Sequence, residues 1–132
     1  IKKQMKHIEY LKEYPPQVVP KEWGSETWVF NNERLNICTK ILEIKKDKGF
    51  HYHFHLIKEE NFYVQKGKVK YFQIDPYTRE VEYCILDEGE SVFLRKGVVH
   101  SLLALEDSII IETSTYHRDS DSHRTHKNVE IN

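Results

Sequence analysis

Three histidines alternate along His51-Tyr52-His53-Phe54-His55, with Glu60 close behind and Gly97-Val98-Val99-His100 far downstream. On a strand, residues two apart project from one face. The odd positions of 51–57 therefore give one face His51, His53, His55 and Ile57, while Tyr52, Phe54 and Leu56 take the other. Histidines clustered without a ligand repel when protonated and lose hydrogen bonds when buried. Two histidines on one strand, a carboxylate on the next and a histidine from a distant strand can close around a cation. Three imidazoles and one carboxylate make a mixed N/O site for one divalent transition metal.

Such a set needs strands to hold it, and the rest of the chain supplies them. Its 132 residues suit one domain, which can bury roughly two-thirds of its unfolded surface around one core. Eight Tyr, six Phe and many Ile and Val favour strands. Short alternating segments are predicted at 27–31, 35–45, 51–57, 61–65, 68–74, 80–85, 91–94, 101–105 and 108–115. Turn residues such as Asp47-Lys48-Gly49, Lys66-Gly67, Asp75-Pro76, Asp87-Glu88-Gly89 and Lys96-Gly97 divide them. That rhythm indicates an all-β sandwich or barrel. Residues 1–20 differ: Met5, Ile8 and Leu11 form a weak helical stripe that Pro15-Pro16 ends, so a short N-terminal helix or arm is expected before a barrel at 21–115. Residues 116–132 lose the alternation and read as a polar C-terminal tail. His117, His123 and His126 there are irregularly spaced, which favours exposed tail residues over a second metal site.

The 20 basic and 21 acidic residues leave a formal net charge of −1, which gives no general attraction to nucleic acid or anionic membrane. No apolar run reaches the roughly 18 residues of a membrane span, and no signal peptide is visible. A cytoplasmic location is expected. Cys38 and Cys84 lack metal-type spacing and are expected as two reduced, half-buried thiols.

The first run, Gly49 with His53-x-His55-x4-Glu60-x6-Gly67, resembles the first motif of the cupin superfamily. Gly89-x5-Arg95-x-Gly97-x2-His100 resembles the second, with Arg95 where proline is usual. The resemblance implies a double-stranded β-helix, the cupin jelly-roll barrel, with His53, His55, Glu60 and His100 as ligands of one divalent metal. Zn, Mn, Fe, Ni and Co all suit such a set, and ligand type does not choose among them. Lys21-Glu22-Trp23-Gly24, Lys40-Ile41-Leu42, Glu112-Thr113-Ser114-Thr115 and Asp121-x2-Arg124 follow in the order seen in type II phosphomannose isomerases, and the chain is similar to their cupin domain over about 21–124. The nucleotidyltransferase domain often fused to it has no counterpart in this sequence. That family usually has Gln at the position of His53 and Arg at the position of Ser101, and its Tyr-Gly-Arg ending is missing here.

The implied chemistry is aldose–ketose isomerisation of a sugar or sugar phosphate, in which a proton moves between adjacent carbons. It needs a base that is not itself a metal ligand. His51 is the first candidate and Lys40 the second. Arg124, Lys96 and Arg95 are candidates for holding a phosphate; Arg124 pairing with Asp121 to fasten the tail is the alternative. Trp23-Gly24 is read as an anchor at the barrel's entrance. Two other functions remain open: an Fe(II)-dependent dioxygenase of a small organic substrate, and a non-catalytic sugar-binding cupin. By family tendency the barrel is expected to pair as a homodimer, with a small molecule as its other partner.

Overall fold

A computed structural model describes His7 and residues 16–125. Apart from His7, the helical stripe of residues 1–14 lies outside the described residues, as does His126. Two antiparallel sheets face each other. The first runs β1 (Gln17–Lys21), β2 (Gly24–Asn32), β3 (Ile37–Ile44), β10 (Ser108–Ser114), β5 (Glu60–Lys66), β8 (Ser91–Leu94). The second runs β11 (His123–Arg124), β4 (Gly49–Phe54), β9 (His100–Ala104), β6 (Lys68–Ile74), β7 (Val81–Asp87). Every strand expected from 27 to 115 is present, with ends displaced by a few residues, and the architecture is the expected all-β jelly roll.

Alternation explains the core. Leu42 and Ile44 on β3, Phe62 and Val64 on β5, Leu102 and Ala104 on β9 and Ile110 on β10 all face inward. They meet Val69, Tyr71, Leu86 and Leu94 in one buried cluster. The chain passes from β5 in one sheet to β6 in the other through Gly67 alone, at φ +92°, where a Cβ would run into Ser108 and the Asp107 carbonyl. This explains the motif glycine.

Three expectations are corrected. The barrel does not begin at 21: β1 starts at Gln17 and pairs with β2. Pro20 fits there because β1 is an edge strand. The tail does not stand apart: a 3₁₀ turn at Asp119–Asp121 leads into β11, which pairs with β4 through His123↔Phe54 and Arg124↔His53. Strict alternation also fails in β4. Phe50 pairs with Leu102 but His53 with His100, so two residues of β4 oppose one of β9 in a bulge. Phe50 and His53 both face the interior as a result, and the strand ends at Phe54, one residue before His55. The two cysteines are free as expected, but Cys38 is fully buried and Cys84 exposed.

Candidate metal centre

His53 stands on β4 just past the bulge, His55 just beyond that strand, Glu60 at the head of β5 and His100 at the head of β9. Their ligand atoms all lie within 4.8 Å of one another. Each ring is pinned in the same way. His53 Nδ1 donates to the His51 carbonyl (3.0 Å), His55 Nδ1 to the Asp121 carbonyl (3.0 Å) and His100 Nδ1 to the Val98 carbonyl (2.9 Å). A carbonyl only accepts, so the proton sits on each Nδ1 and every Nε2 lone pair is left to the centre. His53 shows some surface at the rim, yet its ring packs edge-on against Phe50 at 5.3 Å and lies 4.3 Å from the His100 ring. Burial, aided by neighbouring His100, drives the His53 pKa down to about 3, and burial also lowers that of His55. Both rings are therefore neutral near pH 7, as a metal ligand must be.

The donor set fits a divalent metal. Glu60 Oε2 and His100 Nε2 are buried atoms without a hydrogen-bond partner, although they lie 3.1 Å apart and His55 Nε2 is 3.5 Å from the same oxygen. Buried polar atoms in native proteins are seldom left orphaned, and a shared cation accounts for these. Burial would raise the Glu60 pKa, but His100, Lys58 and His55 overcome it and hold the carboxyl well below its usual range.

Behind the ligands lies a charge network that sequence reasoning missed. Lys58 Nζ reaches Glu112 Oε2 at 2.7 Å, Glu60 Oε1 at 3.2 Å and His117 Nδ1 at 3.2 Å. One oxygen of Glu60 thus answers to lysine and the other to the histidines. Burial would lower the Lys58 pKa, but Glu112 and Glu60 raise it above the ordinary lysine value, so the ammonium persists. His117 Nε2 in turn donates to Asp119 (3.0 Å). His117 is therefore not the exposed tail residue expected but a buried member of this network. His123 stacks on Phe54 at 5.2 Å.

A cavity of about 200 Å³ opens beside His53, His55 and Glu60, with Trp23, Phe50 and Phe62 on its apolar side. Trp23 packs edge-on to Phe50 at 6.0 Å, in keeping with an entrance anchor. His51 and Arg124 both line this cavity. Lys40 lines it too, but its Nζ donates to Glu26 Oε1 at 2.9 Å and lies 4.4 Å over the Trp28 ring. That nitrogen is engaged by the Glu26 carboxylate, which favours Lys40 as a hydrogen-bond donor over a base. Arg95 and Lys96 are exposed and neither lines this cavity; Lys96 borders a separate depression with Arg79 and Val98. The β8–β9 turn carries them away from the mouth. Asp121 does not pair with Arg124 but turns its carboxylate to the 56–58 loop. Lys58 gave no sequence signal, since it reads as a charge in a polar loop; Asp121 is singled out by the Asp121-x2-Arg124 element, but not for the contacts it makes. Glu112 did give one: it occupies an inward position of β10 in phase with Ile110.

No helix among the described residues is long and apolar enough to cross a membrane, which says nothing of strands. No protein-family model matches the chain, and no curated protein sequence matches it. Solved structures do. Oxalate decarboxylase from Bacillus subtilis is similar at TM-score 0.72 and 16% identity, over 83% of this chain and 30% of that one. The capsular polysaccharide assembling protein CapF from Staphylococcus aureus is similar at TM-score 0.70 and 19% identity, over 84% of this chain and 32% of that one. CapF with the inhibitor 3-isopropenyl-tropolone is similar at TM-score 0.69 and 19% identity, over 84% of this chain and 34% of that one. The chain thus spans about a third of each. These neighbours are cupin-fold proteins, and with two facing antiparallel sheets and a His/Glu cluster that fits a divalent metal, this chain has the cupin fold.

Proposed function

We propose that this chain is a metal-dependent isomerase that interconverts an aldose and a ketose, taking a sugar or sugar phosphate in the cavity beside the centre formed by His53, His55, Glu60 and His100. The observation that carries this reading is the convergence of four ligand atoms within 4.8 Å, next to a cavity that also holds an unligated histidine. When bound, a divalent metal supplies Lewis acidity for the charge that builds on two adjacent sugar oxygens. The His51 ring takes the proton from C2 and returns it to C1 while the O2 hydroxyl proton passes to O1, so no external oxidant or reductant is needed. Arg124 at the mouth offers a guanidinium fork to a phosphate. Lys40, fixed by Glu26 and Trp28, donates to a sugar hydroxyl. Trp23 and Phe50 shield the reacting carbons from water.

The test is solvent exchange in heavy water with the metal-loaded chain and mannose 6-phosphate or fructose 6-phosphate. Deuterium at C2 or C1 without oxygen uptake is the expected result. His51→Ala should retain its metal and lose about 10²–10⁴-fold in exchange rate, the usual worth of a general base. Absence of exchange across a panel of sugar phosphates would overturn the reading.

A second reading draws on the cavity's size. About 200 Å³ is below the roughly 300–1,000 Å³ common for organic ligands, which favours a very small substrate such as an organic acid held by Arg124. Oxidation of such an acid with iron at the same four ligands would consume dioxygen, so an oxygen electrode separates the two reactions.

A further inference from the structure

Asp121 lies far beyond the first motif in sequence, yet it holds part of that motif in place. Its Oδ1 accepts from the Leu56 amide at 2.9 Å and lies 3.3 Å from that of Ile57. Its Oδ2 accepts from Ile57 at 3.2 Å and from Lys58 at 3.1 Å. Its own carbonyl receives His55 Nδ1. One buried residue thus satisfies three successive backbone amides of the segment linking His55 to Glu60, and it fixes the ring of the first of these ligands. The following residues of β11 pair with β4 at His53 and Phe54. Two of the four ligands, His53 and His55, therefore sit on chain that the 119–124 segment grips, and Glu60 follows two residues beyond Lys58.

The 55–60 segment could not hold this shape unaided. Its consecutive amides turn to one point without a strand or helix to pair them, and a buried amide left unpaired costs about 1–3 kcal/mol. A carboxylate is the side chain that can accept from several amides at once.

We infer that Asp121 is a positioning residue for the metal centre, and that docking of the 119–124 segment and metal binding strengthen each other. This rests on the metal-binding reading above. Asp121 touches neither the cation nor the substrate; it acts through His55 and through the Leu56–Lys58 backbone that sets Glu60. Linkage makes the effect reciprocal: whatever Asp121 contributes to metal affinity, the metal returns to the docked segment.

The experiment titrates the metal-free chain with Co²⁺, reading affinity by calorimetry and geometry by the visible absorption bands. Wild type, Asp121→Asn and Asp121→Ala are compared with Asp75→Ala. Asp75 caps the amides of Tyr77 and Thr78 in an exposed turn away from the centre, so it controls for the loss of a carboxylate cap as such. The expected result is a loss of roughly 10–100-fold in Co²⁺ affinity for Asp121→Ala, the range typical of outer-sphere partners. A smaller loss with shifted bands is expected for Asp121→Asn, which keeps one acceptor oxygen, and wild-type affinity for Asp75→Ala. Wild-type affinity and bands in Asp121→Ala, or an equal loss in Asp75→Ala, would overturn the inference while leaving the metal reading intact. Failure of the wild-type chain to bind Co²⁺ would overturn both. Hydrogen exchange on the wild type needs no variant: Co²⁺ should slow the amides of Leu56, Ile57 and Lys58 together with those of 119–124, and unchanged exchange in either group overturns the coupling.

Discussion

The two ends of the barrel interior are built on the same strands and obey opposite rules. At one end β3, β5, β9 and β10 bury Ile44, Val64, Ala104 and Ile110; at the other they present Lys40, Glu60, His100 and Glu112. Leu42, Phe62 and Leu102 lie between, two residues from each. The backbone needs no change to pass from one end to the other, because alternation sends every second side chain inward whatever its chemistry. The forces differ. The apolar end is held by non-directional burial, while the polar end is held by mutual compensation in which each charge depends on a named partner.

The largest expected effect breaks that compensation. Lys58→Met leaves Glu60 and Glu112 buried without their cation, which should cost about 3–5 kcal/mol in urea unfolding of the metal-free chain. Leu102→Ala at the apolar boundary should cost about 2–5 kcal/mol through the cavity it leaves. The two ends diverge under rescue. Adding Glu60→Leu and Glu112→Leu to Lys58→Met removes every stranded charge, so the triple variant should recover most of the loss and bind no metal. A cavity offers no such route back. A triple variant as unstable as Lys58→Met would mean that the polar end serves the fold as much as the site.

Acidity should separate the ends next. The His53 pKa is about 3 in the folded chain against about 6.5 unfolded. Between those values the unfolded chain binds a proton that the folded chain refuses, so stability falls as pH drops from about 6.5 toward 3. The lowered pKa values of His55 and His117 act in the same direction, and that of Glu60 adds a further loss at lower pH. The chelator-treated protein should therefore lose stability steadily across this window. The increment from Leu102→Ala, measured as a difference between chains, should be the same at pH 7 and pH 5. An increment that changes with pH would show that the two ends are not independent.

The same contrast governs what the sequence could reveal. The apolar end was legible because period-2 patterning along strands such as 68–74 needs no partner to be read. His53, His55, Glu60 and His100 were legible because their spacings match two recurring sequence motifs. Lys58 was not, since in Ile57-Lys58-Glu59-Glu60 it resembles any charge in a polar loop, and its partner Glu112 lies on a distant strand. His117, and the role of Asp121 at the 56–58 amides, were hidden for the same reason: a tail of alternating signs reads as solvated until the barrel brings Lys58 and that loop against it. The bulge in β4 left no local mark either, so the sequence reading missed the Gly49–Phe50 start of the strand and carried it through His55.

The smallest effect tests whether the boundary between the two regimes is graded. Glu26 accepts from Lys40 at 2.9 Å and from the Trp28 indole at 2.7 Å, but its side chain keeps 13% of its surface, whereas Lys58 keeps 2%. Water at the mouth can therefore take over part of what the carboxylate does. Glu26→Gln preserves an acceptor oxygen and loses only the charge, so its cost should be about 1 kcal/mol, between an exposed pair and a buried one. Co²⁺ affinity should not change, since Glu26 shares no hydrogen bond with the four ligands, and tryptophan emission should shift as the Trp28 partner changes. A cost near that of Lys58→Met would mean that compensation at this end does not fade toward the solvent. The Lys40 and Lys58 networks would then be one cooperative unit, joined where the His117 ring packs edge-on against Trp28 at 5.1 Å.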